Sequence, residues 1–242
     1  MNPGFMILIL LAVVALSGGF VHFLQANNHT QYIKIALAFS GGFLLAIVFE
    51  HLLPELYAMN TPHLGLFILM GFLIQWVLEY FSGGIEHGHI HVHKGQAMPW
   101  TLFISLSIHS IIEGIPLGNN TEHLHPLHDH NHNLSLFWGM VFHQVPVAIA
   151  LMTLLFSTKL SKNRAWLVLM LFAAMTPLGI VLGLKVSLEE LGLNISAILG
   201  VVIGMFLHIS TTIIFETSEN HKFNLIKLSS VIAGLGGGLL MS

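Results

Sequence analysis

Long apolar stretches alternate with short polar joints along almost the whole chain. A helix needs about 20 apolar residues to cross a hydrocarbon core roughly 30 Å thick. By this criterion the pattern predicts eight membrane-spanning helices, numbered spans 1 to 8, at about residues 4–24, 33–53, 64–81, 99–118, 134–156, 165–185, 195–215 and 223–241. We therefore expect an all-α integral membrane protein in which residues 1–242 form a single transmembrane domain.

The distribution of Lys and Arg predicts how these helices are oriented. Seven of the eight basic residues lie on alternate joints or the adjoining span ends, and only Lys185 falls on the opposite side. The seven are Lys34, Lys94, Lys159, Lys162, Arg164, Lys222 and Lys227. Because cytoplasmic loops carry an excess of Lys and Arg, these joints are predicted to lie in the cytoplasm and both termini outside.

Composition narrows the class of protein and the chemistry available to it. The chain is 55% hydrophobic and 8% charged, whereas a soluble domain has about a quarter of its residues charged. It has no cysteine, which excludes thiolate ligands, but it has 17 histidines. Imidazole and carboxylate ligands favour zinc, iron, nickel, cobalt or manganese over cuprous copper. The apolar composition makes membrane lipid the expected surrounding. Since the net charge is −3 and there is no basic patch, nucleic acid is not an expected partner.

Spans 4 and 5 each carry ionisable residues deep within an apolar stretch. His109 and Glu113 are four residues apart, which places them on one face of a helix. His109 follows Trp100 by nine residues, and His143 follows Leu134 by nine, so each lies about 13–14 Å into its span. An ionisable side chain at the bilayer centre costs at least about 2.5–3.5 kcal/mol, and it persists when it is paired, hydrated or bound. These three residues could simply link helices, but their matching depth favours a metal site.

The same residues carry a resemblance to a known family. The segments His109-Ser-Ile-Ile-Glu113-Gly and His143-Gln-Val-Pro resemble the fourth- and fifth-helix signatures of the ZIP family of Zrt/Irt-like divalent metal transporters. Ser40-Gly-Gly-Phe-Leu-Leu-Ala, leading into His51-Leu-Leu-Pro-Glu, is similar to that family's second helix. The resemblance also covers the eight spans, the outside termini and the histidine-rich third joint. It implies a ZIP-like bundle, a homodimer and an elevator-like movement, with His109, Glu113 and His143 as metal ligands.

The chain departs from the family pattern beside these ligands. Ser110 stands where the family often has Asn, and Gln144 stands where it often has an acid. Val147 and then Ala148 occupy the region where a further family ligand follows the proline. We keep Ser110 and Gln144 as candidate metal residues but expect one principal, mononuclear site. Three ligands leave a position for water, which suits a metal that must be released.

Two histidine-rich loops flank the predicted path. The cytoplasmic loop, at about 82–98, and the external loop, at about 119–133, are expected to capture metal weakly, since histidine-rich tracts are a compositional signal for metal binding. The alternative is a solvated loop that responds to pH, because free imidazole titrates near neutrality. The histidines are His87, His89, His91 and His93 inside, and His123, His125, His128, His130 and His132 outside.

Five further polar residues lie nearer the ends of their spans. Glu50, His51 and Glu55 lie toward the outer end of span 2, while His208 and Glu216 lie in the inner half and at the inner end of span 7. They are secondary candidates for the entrance and exit of the path. Interface anchoring or internal pairing is the other interpretation of each.

The function predicted from these patterns and from the resemblance is a divalent metal importer, with zinc the foremost substrate. It would be a multi-pass protein of the plasma (inner) membrane, not an enzyme, with the metal as substrate and no cofactor. The inward direction comes from the resemblance. The alternatives are a metal efflux carrier, a membrane metalloenzyme and a metal-sensing scaffold. His and Glu serve several divalent metals, so they do not select one.

Overall fold

The computed structural model describes residues 1–21, 29–85, 97–119, 132–186, 194–216 and 225–241, and these are almost entirely helical. Seven helical stretches are long and apolar enough to cross a membrane, and a shorter apolar helix, Leu225–Leu239, follows them. The seven are Pro3–Phe20, Tyr32–Ala58, Leu64–Ser82, Trp100–Gly118, Leu134–Ser157, Lys162–Lys185 and Ile195–Phe215. The predicted all-α membrane fold is confirmed, with the shorter helix in the position of span 8.

Prolines interrupt the regular helix in two of the spans. Span 2 consists of His29–Ile47, a π-helical turn at Val48–Leu52 and a last segment, Leu53–Ala58, that extends past the predicted end. Pro54 has no N–H to donate to the carbonyl four residues earlier, and the turn before it widens accordingly. Span 6 is divided into Lys162–Ala173 and Met175–Lys185, just ahead of Pro177.

The spans differ sharply in how much of their surface is covered by other helices. Span 5, within the helix His132–Ser157, is the most enclosed of the described spans, with 78% of its most apolar window buried. It packs against spans 1, 2, 4 and 6. In span 3 the corresponding share is 17%, so most of its apolar side chains are left for lipid. Span 5 is therefore more shielded by its neighbours than the other described spans.

Small residues bring spans 4 and 6 into backbone contact. Gly114 and Gly118 of span 4 meet Gly179 and Gly183 of span 6, and each pair is spaced four residues apart. A Cβ added at Gly118 would lie 2.0 Å from the carbonyl oxygen of Ile180, so the two helices would have to move apart to accommodate it. This is the small-xxx-small packing by which helices associate in lipid. The position of span 4 is thus set by its contact with span 6.

The same kind of contact joins two other pairs of spans. Gly71 and Gly204 allow close approach between spans 3 and 7, and Gly42 and Gly234 allow it between spans 2 and 8. Spans 3 and 4 instead meet through side chains, among them Ser105, whose hydroxyl donates to the carbonyl of Leu78. The glycine contacts therefore hold spans in fixed pairs, 2 with 8, 3 with 7 and 4 with 6.

Candidate metal centre

Spans 4 and 5 bring three metal-ligating side chains together inside the bundle. His109 and Glu113 lie on successive turns of span 4, and His143 reaches them from span 5. One ligand atom from each residue lies within 4.8 Å of the other two. The residues are 3%, 1% and 2% exposed, respectively. The three predicted ligands are thus close neighbours in the protein interior.

The internal geometry of this cluster suits a small cation. His109 Nε2 lies 2.7 Å from Glu113 Oε1, and the rings of His109 and His143 are 6.0 Å apart between centroids, inclined at 71°. In a tetrahedral zinc site with bonds near 2.0–2.1 Å, neighbouring donor atoms are about 3.3 Å apart. The 2.7 Å separation is shorter than that value, and the 4.8 Å within which all three donor atoms lie is longer. Small side-chain rotations would therefore place all three donors on one ion.

The charges in the cluster also favour a cation. Glu113, when ionised, contributes one negative charge, and two neutral imidazoles contribute none. A single carboxylate buried in this way carries a large desolvation cost unless a positive charge compensates it. A divalent cation would supply that charge and would leave the site with a net charge of about +1. Within the part of the chain that the structure describes, this is the one group of three or more His, Cys, Asp or Glu donors with such geometry.

Ser110 and Gln144, the other candidate metal residues, lie next to the cluster in sequence and are buried. Gln144 Nε2 donates a hydrogen bond of 2.6 Å to Thr176 Oγ1 on span 6. The amide oxygen of Gln144 is buried and makes no hydrogen bond to the described residues. Gln144 is therefore anchored to span 6 by one side of its amide. Metal ligation by either residue stays a prediction.

The structure adds a residue that the sequence analysis did not single out. Gln75 of span 3 is fully buried, and its Oε1 lies 2.8 Å from Nδ1 of His109. Gln75 and Glu79 are four residues apart in an otherwise apolar helix, Leu64–Ser82. A polar pair at that spacing marks one face of span 3, so the pattern did contain a signal for them. The spacing does not tell which residues of other spans Gln75 and Glu79 contact.

His208, a secondary candidate, lies in a second polar contact that the structure forms inside the bundle. Nε2 of His208 on span 7 contacts Oε2 of Glu79 on span 3, and the ring of Phe72 packs edge-on against His208 at 4.7 Å. Glu79 lies one helical turn beyond Gln75, so the two contacts of span 3 are about 6 Å apart along the helix. A role for His208 in the metal path stays a prediction.

The remaining candidates of span 2 lie on and after the π-helical turn. Glu50 is exposed, whereas His51 and Glu55 are half-buried. Nε2 of His51 is itself buried and makes no hydrogen bond to the described residues. None of the three belongs to the cluster of spans 4 and 5. Their place at the entrance of a path stays a prediction.

Most of the loop candidates fall outside the described residues. These are His87, His89, His91 and His93 of one loop and His123, His125, His128 and His130 of the other. His132 begins the helix that contains span 5, and Glu216 ends the helix that contains span 7, but the side chains of both lie outside the described part.

An all-helical, multi-pass bundle with an imidazole–carboxylate cluster buried between two of its spans defines a membrane protein with a candidate site for a divalent cation. The family model described as ZIP Zinc transporter matches residues 84–242, which is more than half of the chain. The chain therefore belongs to this family. The resemblance to the ZIP family is confirmed, and the matched region contains the motifs of spans 4 and 5.

Curated proteins similar to this chain carry names that fit this family. Zinc transporter ZIP3 of Bos taurus is 24% identical over 276 residues, covering 88% of this chain and 86% of that protein. Zinc transporter ZIP1 of Mus musculus is 26% identical over 262 residues, covering 86% and 78%. Protein zntD of Dictyostelium discoideum is 26% identical over 177 residues, covering 66% of this chain. The chain spans 24% of the length of zntD.

Proposed function

We propose that the protein carries a divalent metal cation, zinc foremost, across a membrane through a mainly mononuclear site formed by His109, Glu113 and His143. The observation that carries the proposal is the convergence of these three buried donors, within 4.8 Å of one another, from two neighbouring spans. The names of ZIP1 and ZIP3, which are zinc transporters, support zinc as the first substrate to test.

In the proposed mechanism the arriving ion sheds part of its water shell as it binds to the protein. Two imidazole nitrogens and one carboxylate oxygen replace the lost waters, and a remaining coordination position keeps a water. Partial coordination holds the ion without trapping it, which a transporter requires. Because the three ligands are 1–3% exposed, the ion reaches them only when the surrounding spans rearrange.

The packing between spans suggests which helices move. Span 4 is in backbone contact with span 6 through glycines, and span 3 is in backbone contact with span 7. Between spans 3 and 4 the contacts are made by side chains, which can break and re-form at lower cost than interlocked backbones. We propose that spans 4 and 5, which carry the ligands, shift relative to spans 3 and 7 and open the site to alternate sides. This agrees with the elevator-like movement that the family resemblance implies.

We also propose that the secondary candidates lie along the route to and from the site. Glu50, His51 and Glu55 would attract the ion at the outer end of span 2. His208, in contact with Glu79, lies in the inner half of span 7 and would be the next polar stop toward the cytoplasm. The histidine-rich loops would collect and accept the ion at the two ends. Import into the cytoplasm, the plasma membrane location, a homodimeric assembly and the absence of enzymatic activity belong to the same proposal.

The test is metal-resolved uptake into proteoliposomes that contain the purified protein. Wild type is expected to accumulate Zn²⁺, and His109→Ala and Glu113→Ala to lose uptake at equal protein content. Ser107→Ala is the matched control, because Ser107 is buried in the same span but its hydroxyl donates to the carbonyl of Phe103 in its own helix. Unchanged uptake in His109→Ala would contradict the site.

Direction is tested by expressing the protein in a metal-starved host and measuring total cellular metal. Accumulation is expected for import, and depletion would favour the efflux alternative. If neither vesicles nor cells show metal flux, transport itself is contradicted and a membrane metalloenzyme or metal sensor becomes the better interpretation.

A further inference from the structure

Gln75 of span 3 forms a hydrogen bond with His109, a residue of the cluster of spans 4 and 5. Its amide oxygen lies 2.8 Å from Nδ1 of His109, and the glutamine side chain is fully buried. With the amide oxygen of Gln75 facing the ring, the contact places the proton of His109 on Nδ1, because a carbonyl oxygen only accepts hydrogen bonds. Neutral imidazole has a single ring proton, and Nε2 is then left with a lone pair. That lone pair faces Glu113 Oε1 at 2.7 Å, and two acceptors at this distance repel each other unless a cation or a proton lies between them.

We infer that Gln75 is a positioning residue for the metal site: it selects the tautomer of His109 and fixes the orientation of the ring, so that Nε2 faces the ion. Gln75 would not touch the ion itself. Groups that hold the second nitrogen of a metal-ligating histidine commonly affect metal affinity by about 10–100-fold. This inference rests on the proposed function, since it assigns a role within the same site.

The packing of span 3 restrains the side-chain amide of Gln75. Span 3 is in backbone contact with span 7, where a Cβ added at Gly71 would lie 1.9 Å from the carbonyl oxygen of Val201. One turn beyond Gln75, Glu79 contacts His208 of span 7. Both the backbone and the next polar residue of span 3 are thus attached to the same neighbour. The acceptor for His109 is therefore held by a pair of helices outside spans 4 and 5.

A purely structural role for Gln75, as a link between spans 3 and 4, makes a different prediction. Ser105 provides a matched control, because its hydroxyl also crosses from span 4 to span 3, where it donates to the carbonyl of Leu78. Ser105→Ala removes a link between the same two helices without touching the ring of His109. If Gln75 only joins the helices, its loss and that of Ser105 should have similar effects.

The experiment measures the Zn²⁺ affinity of the full-length, detergent-purified protein by competition with a chelating indicator, together with the visible absorption spectrum of bound Co²⁺. Gln75→Leu is expected to weaken Zn²⁺ binding about 10–100-fold and to alter the Co²⁺ spectrum. Gln75→Glu retains an acceptor for Nδ1–H and is expected to keep the affinity within about threefold of wild type or to raise it. Ser105→Ala is expected to stay within about threefold and to keep the wild-type spectrum. Should Gln75→Leu fail to fold, Gln75→Met removes the same acceptor at similar volume.

The outcomes separate this inference from the proposed function. Equal losses in Gln75→Leu and Ser105→Ala would overturn the positioning role, as would wild-type affinity in Gln75→Leu. A loss in Gln75→Glu as large as that in Gln75→Leu would mean that the amide donates to the ring, which also overturns it. His109→Ala is measured in parallel. If it binds Zn²⁺ as wild type does, the metal site itself is wrong and the proposed function fails with it.

Discussion

The described residues include two contacts between imidazole and carboxylate groups within the bundle, and these contacts differ in composition and in burial. The cluster of spans 4 and 5 has two histidines and one glutamate, and the side chains of His109 and Glu113 are 4% and 1% exposed. The contact between spans 3 and 7 has one histidine and one glutamate, whose side chains are 7% and 17% exposed. Both bring a histidine and a carboxylate into hydrogen-bonding distance, but only the first adds a second imidazole from another span.

The difference suggests how the proposed metal site differs from an internal pair of side chains. One imidazole and one carboxylate can share a proton and satisfy each other without a third partner. A second imidazole brings a further lone pair to the same point, and a cation is the partner that two imidazole nitrogens and a carboxylate oxygen can share. Convergence of several donors at one point therefore says more about metal binding here than the presence of a buried histidine.

The largest expected effect separates the two contacts directly. His143→Ala removes a proposed ligand, so Zn²⁺ affinity should fall by more than the roughly 10–100-fold that loss of an outer contact costs. His208→Ala removes a residue of the other contact and should leave equilibrium affinity within about threefold while slowing vesicle uptake. Zn²⁺ competition titrations and uptake rates on the same preparations measure both. Equal losses of affinity would show that the two contacts do not differ in the way proposed.

A second prediction uses the glycine contacts that position each region. Gly118→Ala would place a Cβ 2.0 Å from the carbonyl oxygen of Ile180. Span 4 would move away from span 6, and the cluster of spans 4 and 5 would be disturbed. Gly204→Ala would place a Cβ 1.9 Å from Ile68 O, disturbing the contact of spans 3 and 7 instead. Each should cost about 1–3 kcal/mol of stability, as overpacking does. Gly118→Ala should weaken Zn²⁺ binding more than Gly204→Ala, because it moves a span that carries ligands, whereas Gly204→Ala reaches the site only through Gln75.

Thermal unfolding in detergent and Zn²⁺ titration are the measurements for this pair. Gly236→Ala is the control, because a Cβ there would meet nothing within 4 Å. If Gly204→Ala lowers Zn²⁺ affinity as much as Gly118→Ala does, the affinity of the cluster of spans 4 and 5 depends on the packing of the whole bundle and not mainly on the contact of spans 4 and 6.

The smallest expected effect concerns Gln144. Gln144→Leu removes the hydrogen bond to Thr176 and should lower stability by about 0.5–1.5 kcal/mol. Zn²⁺ affinity should change less than about threefold if the residue only anchors span 5 to span 6. Thr176→Val removes the other partner of the same bond and should give a similar loss in thermal unfolding. An affinity loss comparable to that of His143→Ala would instead place Gln144 among the ligands.

The positions of the spans followed closely from the sequence because a bilayer imposes a length on every helix that crosses it. The predicted span at 99–118 is Trp100–Gly118 in the structure, and that at 134–156 is Leu134–Ser157. The three cluster residues were also predicted, since helical spacing fixes the relation of His109 to Glu113 and depth fixes that of His143 to both. The end of span 2 was misjudged because a π-helical turn carries the helix through Pro54 to Ala58.

What hydropathy and spacing determined by themselves was which segments cross the membrane and which side chains are too costly to leave in lipid unpaired. Only the tertiary structure decided which partners those side chains meet. The hydrogen bond between His109 and Gln75 joins residues 34 positions apart in sequence. The contact of Glu79 with His208 joins residues 129 positions apart. The physical reason is that lipid solvates every apolar face of a helix about equally well, so hydropathy does not determine which face meets another helix. Their rotation and neighbours are set by close packing at residues such as Gly71 and Gly118, and that packing depends on the whole bundle.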